Sequence, residues 1–77
     1  MSNEPTLNLR GVPCPANTAR ALLRLESMSP GDMLTLLLDD GDPIRNVSAS
    51  LESEGHALVS RDPSDTGWQL VVRKDRG

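Results

Sequence analysis

The sequence predicts an α+β two-layer sandwich in the order β-α-β-α-β-β, a four-stranded mixed sheet with two helices on one face. Three observations lead there. Polar and apolar residues alternate in Thr6-Leu7-Asn8-Leu9-Arg10, and Trp68, Leu70 and Val72 alternate near the end, the period of half-buried strands. Met33-Leu34-Thr35-Leu36-Leu37-Leu38 is a nearly continuous apolar run between turn signals, which reads as a strand covered on one face and partly on the other. Two helix-forming stretches each open on a proline shortly after a strand ends. Short loops and right-handed crossovers then leave both helices on the same side of the sheet.

Each element has its own justification. Gly11-Val12-Pro13-Cys14-Pro15 breaks the first strand, and Pro15 suits the first position of a helix, where its missing N–H costs nothing. The helix is expected from Ala16 to about Met28, with an apolar stripe of Ala19, Leu22, Leu23, Leu25 and Met28 and a more exposed face bearing Arg20 and Arg24. Ser29-Pro30-Gly31 ends it. After the Leu-rich strand, Asp42 is the expected N-cap of a second helix with Pro43 in its first turn, Ile44, Val47 and Leu51 on one face, and Gly55 as its stop. A strand over His56 to Arg61, a turn over Asp62 to Gly67 and a strand over Trp68 to Arg73 complete the order. The expected organisation is one domain over 6–74, with flexible tails at 1–5 and 75–77.

Composition narrows the function. The chain has 77 residues, and one this short buries only about 60% of its unfolded surface, so its chemistry belongs at or near the surface. With one Trp and no Phe or Tyr, the core must be aliphatic. A net charge of −3 is a poor match for phosphate backbones, so nucleic acid is not an expected partner. No apolar run is long enough to span a membrane, and no signal peptide is visible, so a cytoplasmic location is expected. One Cys and one His cannot furnish a four-ligand structural zinc site, and neither metal nor cofactor is expected.

Cys14 is the candidate working residue. It falls at or just before the expected helix start, where free backbone N–H groups and the positive end of the helix dipole favour an anion. Both effects lower a thiol pKa, and the thiolate is the nucleophile. Pro13 and Pro15 stiffen the backbone on either side. The alternative is an inert, buried thiol. For the other polar residues the plain readings are structural. His56 belongs to a strand start, Asp39, Asp40 and Asp42 cap or match a helix dipole, and Trp68 covers one edge of the sheet. Arg20 and Arg24 read equally as a solvated face or a docking patch.

The run Leu7-Asn8-Leu9-Arg10-Gly11-Val12-Pro13-Cys14-Pro15 resembles the opening signature of the TusA/SirA-like sulfur-carrier (sulfurtransferase) family: strand, Arg-Gly, two residues, Cys-Pro. Ser29-Pro30-Gly31-Asp32, Asp39-Asp40, Glu54-Gly55-His56 and Arg73-Lys74 are similar to later family features in the same order. The resemblance implies the same two-layer sandwich and a Cys14 that accepts sulfane sulfur as a persulfide. A donor such as a cysteine desulfurase or rhodanese would load it, and an acceptor protein would unload it, for tRNA thiolation, molybdenum-cofactor maturation or sulfur oxidation. Gly11, Pro13, Pro15 and Asn17 would form the supporting loop and helix start, Arg10, Arg20 and Arg24 a docking surface, and the chain would act as a monomer. One departure stands out: the family usually has Cys-Pro-x-Pro, and here Cys-Pro-Ala16-Asn17 implies a subgroup with a different donor or acceptor. Competing readings are a regulatory adaptor with an inert cysteine and, against the charge, an RNA-associated domain.

Overall fold

The computed structural model describes residues 5–13, 15–64 and 67–75. Its elements are β1 (Thr6–Asn8), α1 (Ala16–Glu26), β2 (Met33–Asp39), α2 (Asp42–Ser53), β3 (Ala57–Ser64) and β4 (Gly67–Arg73), the order expected from the sequence. The sheet runs β1-β2-β4-β3. β1 is parallel to β2, whereas β4 is antiparallel to both β2 and β3, so the sheet is mixed. Pairing reaches one residue before β1, where the Pro5 carbonyl accepts the Thr35 N–H at 3.0 Å.

The alternation explains the layering. Leu34, Leu36 and Leu38 of β2 sit opposite Val72, Leu70 and Trp68 of β4 and face the helices. All but Trp68, which is half-buried, have no exposed surface. Leu25, Val47, Leu51 and Ile44 close the layer from α1 and α2. Each buried Leu contributes on the order of 1.5–3 kcal/mol. With no other aromatic residue in the chain, this aliphatic layer is the core.

Several boundaries differ from expectation, each for a physical reason. α1 presents Asn17, Ala21 and Leu25 to the core, an i, i+4, i+8 row. The expected stripe is therefore rotated: Ala19 is exposed and Leu23 is 68% exposed. Pro15 is the N-cap of α1 rather than its first helical residue. Gly41, at φ +90°, is the N-cap of α2, and Asp42 lies inside the first turn, bonded to Arg45. β3 runs on through Asp62 and Pro63 to Ser64, where a turn is expected. Proline is tolerated there because β3 is an edge strand. A bulge between Leu58 and Ser60 leaves Val59 47% exposed and shifts the alternation of the rest of the strand.

Lys74 locks the last strand to the first helix. Only 7% exposed, it donates from Nζ to the carbonyls of Glu26 and Met28 at 3.3 and 2.7 Å, satisfying acceptors at the helix C-terminus. Gly67 starts β4 in a place with no room for a side chain. A Cβ there would run into the Leu38 carbonyl oxygen and lie 3.1 Å from the Asp39 Cα, both of them main chain. Gly67→Ala is expected to cost about 2 kcal/mol, a fall in Tm of roughly 10 °C in a thermal melt followed by circular dichroism.

Candidate functional site

The C-terminal ends of the parallel strands β1, β2 and β3 share one end of the sheet with the start of β4, since Asn8 pairs with Leu37, and Asp39 and Ser64 both pair with Gly67. The loop from β1 to α1 leaves from this end. It is tied down residue by residue. The Leu9 N–H donates to the Leu37 carbonyl at 2.9 Å, and the Arg10 N–H donates to Asn8 Oδ1 at 3.0 Å. The Val12 N–H closes a turn onto the Leu9 carbonyl at 3.1 Å, with Gly11 at φ +76° in its third position, where a side chain would be strained. The Gly11 N–H then donates to Asp39 Oδ2 at 2.7 Å, so the end of β2 grips the loop. This role for Asp39 was absent from the expectations, because its partner is a backbone group 28 residues away.

Cys14 lies outside the described residues. Its neighbours Pro13 and Pro15 are both exposed, as is Gly11. Past Pro15 the structure corrects one expectation. The first-turn N–H groups of α1 are not free as a set. Asn17 N–H donates to the Pro13 carbonyl at 3.1 Å and Thr18 N–H to Asn17 Oδ1 at 2.6 Å, ahead of the first regular helix bond, from Ala19 N–H to the Pro15 carbonyl at 3.0 Å. Asn17 itself is fully buried, and its Nδ2 has no partner. The i, i+4 spacing of Asn17 with Ala21 and Leu25 was the one sequence signal for that burial.

The three candidate docking arginines are not one patch. Arg10 is half-buried and its Nη2 reaches Ser64 Oγ at 3.4 Å, across the end of the sheet to β3. Arg20 and Arg24 are exposed and line an open depression of about 390 Å³ with Leu7, Leu23 and Ser27. His56 stands at the opposite end of the sheet from the β1–α1 loop, before Ala57, which pairs with Arg73. Its Nδ1 accepts the Asp75 N–H at 3.4 Å, a structural role.

A second constellation occupies the loop end. Trp68 Nε1 donates to Asp40 Oδ1 at 2.8 Å, and the Arg61 guanidinium lies 5.5 Å from the indole centroid. These residues and Gly41, Ile44 and Arg45 surround a shallow cleft of about 370 Å³. Trp68 thus sits at one end of an interior strand rather than on a sheet edge. Among the described residues no group of three His, Cys, Asp or Glu could hold a metal ion, and no helix is long and apolar enough to cross a membrane.

Comparison of the sequence with known proteins matches the chain to a family. The family model described as Sulfurtransferase TusA matches residues 5–74. The chain belongs to the TusA sulfurtransferase family. A relative from Archaeoglobus fulgidus, named "Putative sulfur carrier protein", is 32% identical over 69 residues, covering 88% of this chain and 78% of the relative. Two Neisseria meningitidis proteins, from serogroups A and B, carry the same description and are each 35% identical over 71 residues, covering 92% of this chain and 96% of their own length. Within this TusA-family chain the acidic pair is now divided by role: Asp39 holds the loop and Asp40 holds Trp68.

The Trp68 indole and, after it, the Gly41 N–H hold the Asp40 carboxyl below its ordinary value of 3.8. A depressed folded-state pKa means that this contact is fully present above pH 3.8 and is lost as the pH falls through the folded value. Since Trp68 is the one tryptophan, its fluorescence should titrate in a step centred below pH 3.8, and Asp40→Asn should remove that step while circular dichroism reports the fold intact.

Proposed function

We propose that this chain carries sulfane sulfur as a persulfide on Cys14 and relays it from a donor protein to an acceptor protein. The observation that carries the reading is that the chain's one cysteine lies inside the segment matched by the TusA sulfurtransferase model, between two exposed prolines and one residue ahead of the N-cap of α1. In the loading step the Cys14 thiolate attacks the outer sulfur of a donor persulfide. The donor's S–S bond breaks, its thiolate leaves, and the outer sulfur stays bonded to Cys14 with its proton. No net oxidation or reduction occurs. Unloading is the same exchange, with an acceptor in tRNA thiolation, molybdenum-cofactor maturation or sulfur oxidation as the recipient.

The anchored loop supports this role. Its hydrogen bonds to Asp39 and Leu37 and its two prolines limit the entropy that ordering would cost when the loop meets a partner. Gly11, Pro13 and Pro15 present the thiol, and the reading takes the cytoplasm as the compartment and a single domain over 6–74 as the working unit. Arg20 and Arg24, beside the exposed Leu23, are the proposed contacts for an acidic partner surface.

The direct test is intact mass after incubation with a cysteine desulfurase and cysteine, or with rhodanese and thiosulfate. The wild-type chain should gain one sulfur atom and Cys14→Ser none; no gain from either donor overturns the reading. Reversing charge at Arg20 and Arg24 together should raise KM for the protein donor by roughly tenfold with kcat little changed, measured by the same loading assay as a time course.

A further inference from the structure

The two edges of the sheet are finished differently. β3 carries the devices that keep an edge from pairing with another chain: a bulge between Leu58 and Ser60, the charged Arg61 and Asp62, and Pro63. β1, the other edge, has none of these over Thr6–Asn8. Its register shows which groups it leaves open. The Thr35 N–H donates to the Pro5 carbonyl and the Leu9 N–H to the Leu37 carbonyl, so the odd-numbered residues of this segment face β2. The backbone N–H and C=O groups of Thr6 and Asn8 therefore point away from the sheet, and no described residue bonds to them. So short a strand cannot hold a partner by its backbone alone, and the depression beside it supplies the rest. Leu7, the central residue of β1, lines it together with Arg20, Leu23, Arg24 and Ser27, one stripe of α1 at helical spacing. Leu23 is the most exposed large apolar side chain among the described residues. No carboxylate lines the depression, and neither guanidinium is paired with one.

We propose that the outer edge of β1 and this depression together take up an extended segment of a partner protein, which adds as a fifth strand and sets an apolar side chain between two acidic ones against α1. The backbone groups of Thr6 and Asn8 give the segment its main-chain bonds, and the depression selects its side chains. On a strand every second side chain faces the same way, so the pattern required is acidic, any, apolar, any, acidic. The apolar residue meets Leu7 and Leu23, and the acidic ones meet Arg20 and Arg24. A second copy of this chain is the poorer occupant, because pairing along the same edge would crowd the same two guanidiniums from each copy across the two-fold axis. β1 runs directly into the β1–α1 loop, so a segment seated on it holds the partner beside that loop. The inference deepens the proposed relay between partner proteins and rests on it for the presence of a partner, but its measurement requires no sulfur donor.

The test is an NMR titration of the isotope-labelled full chain with the end-blocked peptide Ser-Glu-Thr-Leu-Thr-Glu-Ser, read together with amide hydrogen exchange. In the free chain the Thr6 and Asn8 amides should exchange as fast as unstructured ones; with the peptide both should shift and become protected. A peptide of the same side chains with its backbone N-methylated should bind about tenfold more weakly, since it cannot make the edge bonds. Arg20→Glu combined with Arg24→Glu, checked for folding by circular dichroism, should weaken binding by about tenfold as well, and lysine in place of both peptide glutamates should abolish it on the unaltered chain. Thr6 and Asn8 amides that are protected before peptide is added, that do not respond at millimolar peptide, or that respond equally to the N-methylated peptide overturn the proposal. So does a concentration-dependent dimer of the chain alone in sedimentation, which would make a second copy the occupant. A chain that binds the peptide in this way and gains no sulfur from either donor overturns the proposed function and leaves the edge site standing.

Discussion

The hydrogen bond from the Gly11 N–H to Asp39 Oδ2 links the two halves of this small structure. On one side of it lies β2, whose three buried leucines form the centre of the core. On the other lies the loop that precedes α1. A chain of 77 residues has little interior, so it cannot bury a site. It can instead use its best-packed strand as a foundation and hold an exposed loop from that strand's last residue. A charged acceptor serves well here, because hydrogen bonds to ionised groups are the stronger ones. Gly11 completes the arrangement, since its backbone at φ +76° directs the N–H toward the carboxylate without a steric penalty.

The rest of that end of the sheet follows from the same shortage of interior. With one aromatic residue available, the structure closes the far side of the core with Trp68 and fixes the indole from two directions, by Asp40 at its N–H and Arg61 over its face. Arg61 can reach the ring because the bulge at Val59 changes the alternation of β3, which puts Arg61 opposite Leu70. At the opposite end Lys74 does the equivalent work on α1, with its charged group turned inward onto two helix carbonyls. Long polar side chains thus take over closure that aromatic residues perform in larger cores.

Much of this was legible in the sequence. Period-two alternation, proline-led helices and the Leu run fixed the element order, and the family resemblance pointed to the same architecture and to sulfur chemistry. What escaped was set by partners distant in the chain or by shifts of a residue or two. Asp42 is a sound N-cap by composition, yet Gly41 at φ +90° starts the helix one residue earlier. Asp62-Pro63 carries turn chemistry, yet an edge strand has no further ladder for proline to interrupt. The expected α1 stripe is built on apolar residues alone, whereas the buried row starts at Asn17; Ala21 and Leu25 follow it at four-residue steps and Leu23 is left in solvent. At the helix start, position alone predicts a set of free donors, whereas the Asn17 N–H is taken by a backbone carbonyl and the Thr18 N–H by the Asn17 side chain.

That side chain shows how α1 is divided. Its core row is Asn17, Ala21 and Leu25; its outer face carries Arg20, Leu23 and Arg24; its N-terminal pole follows Cys14. The three surfaces are different faces of one eleven-residue helix, so a change on one can leave the others standing. Asn17 is the exception, because its burial belongs to the core row and its Oδ1 to the pole. Its backbone N–H donates to the Pro13 carbonyl, as any residue but proline could, while the bond from the Thr18 N–H needs its side-chain oxygen. Asn17 therefore joins the packed row of this helix to the hydrogen bonding of its first turn.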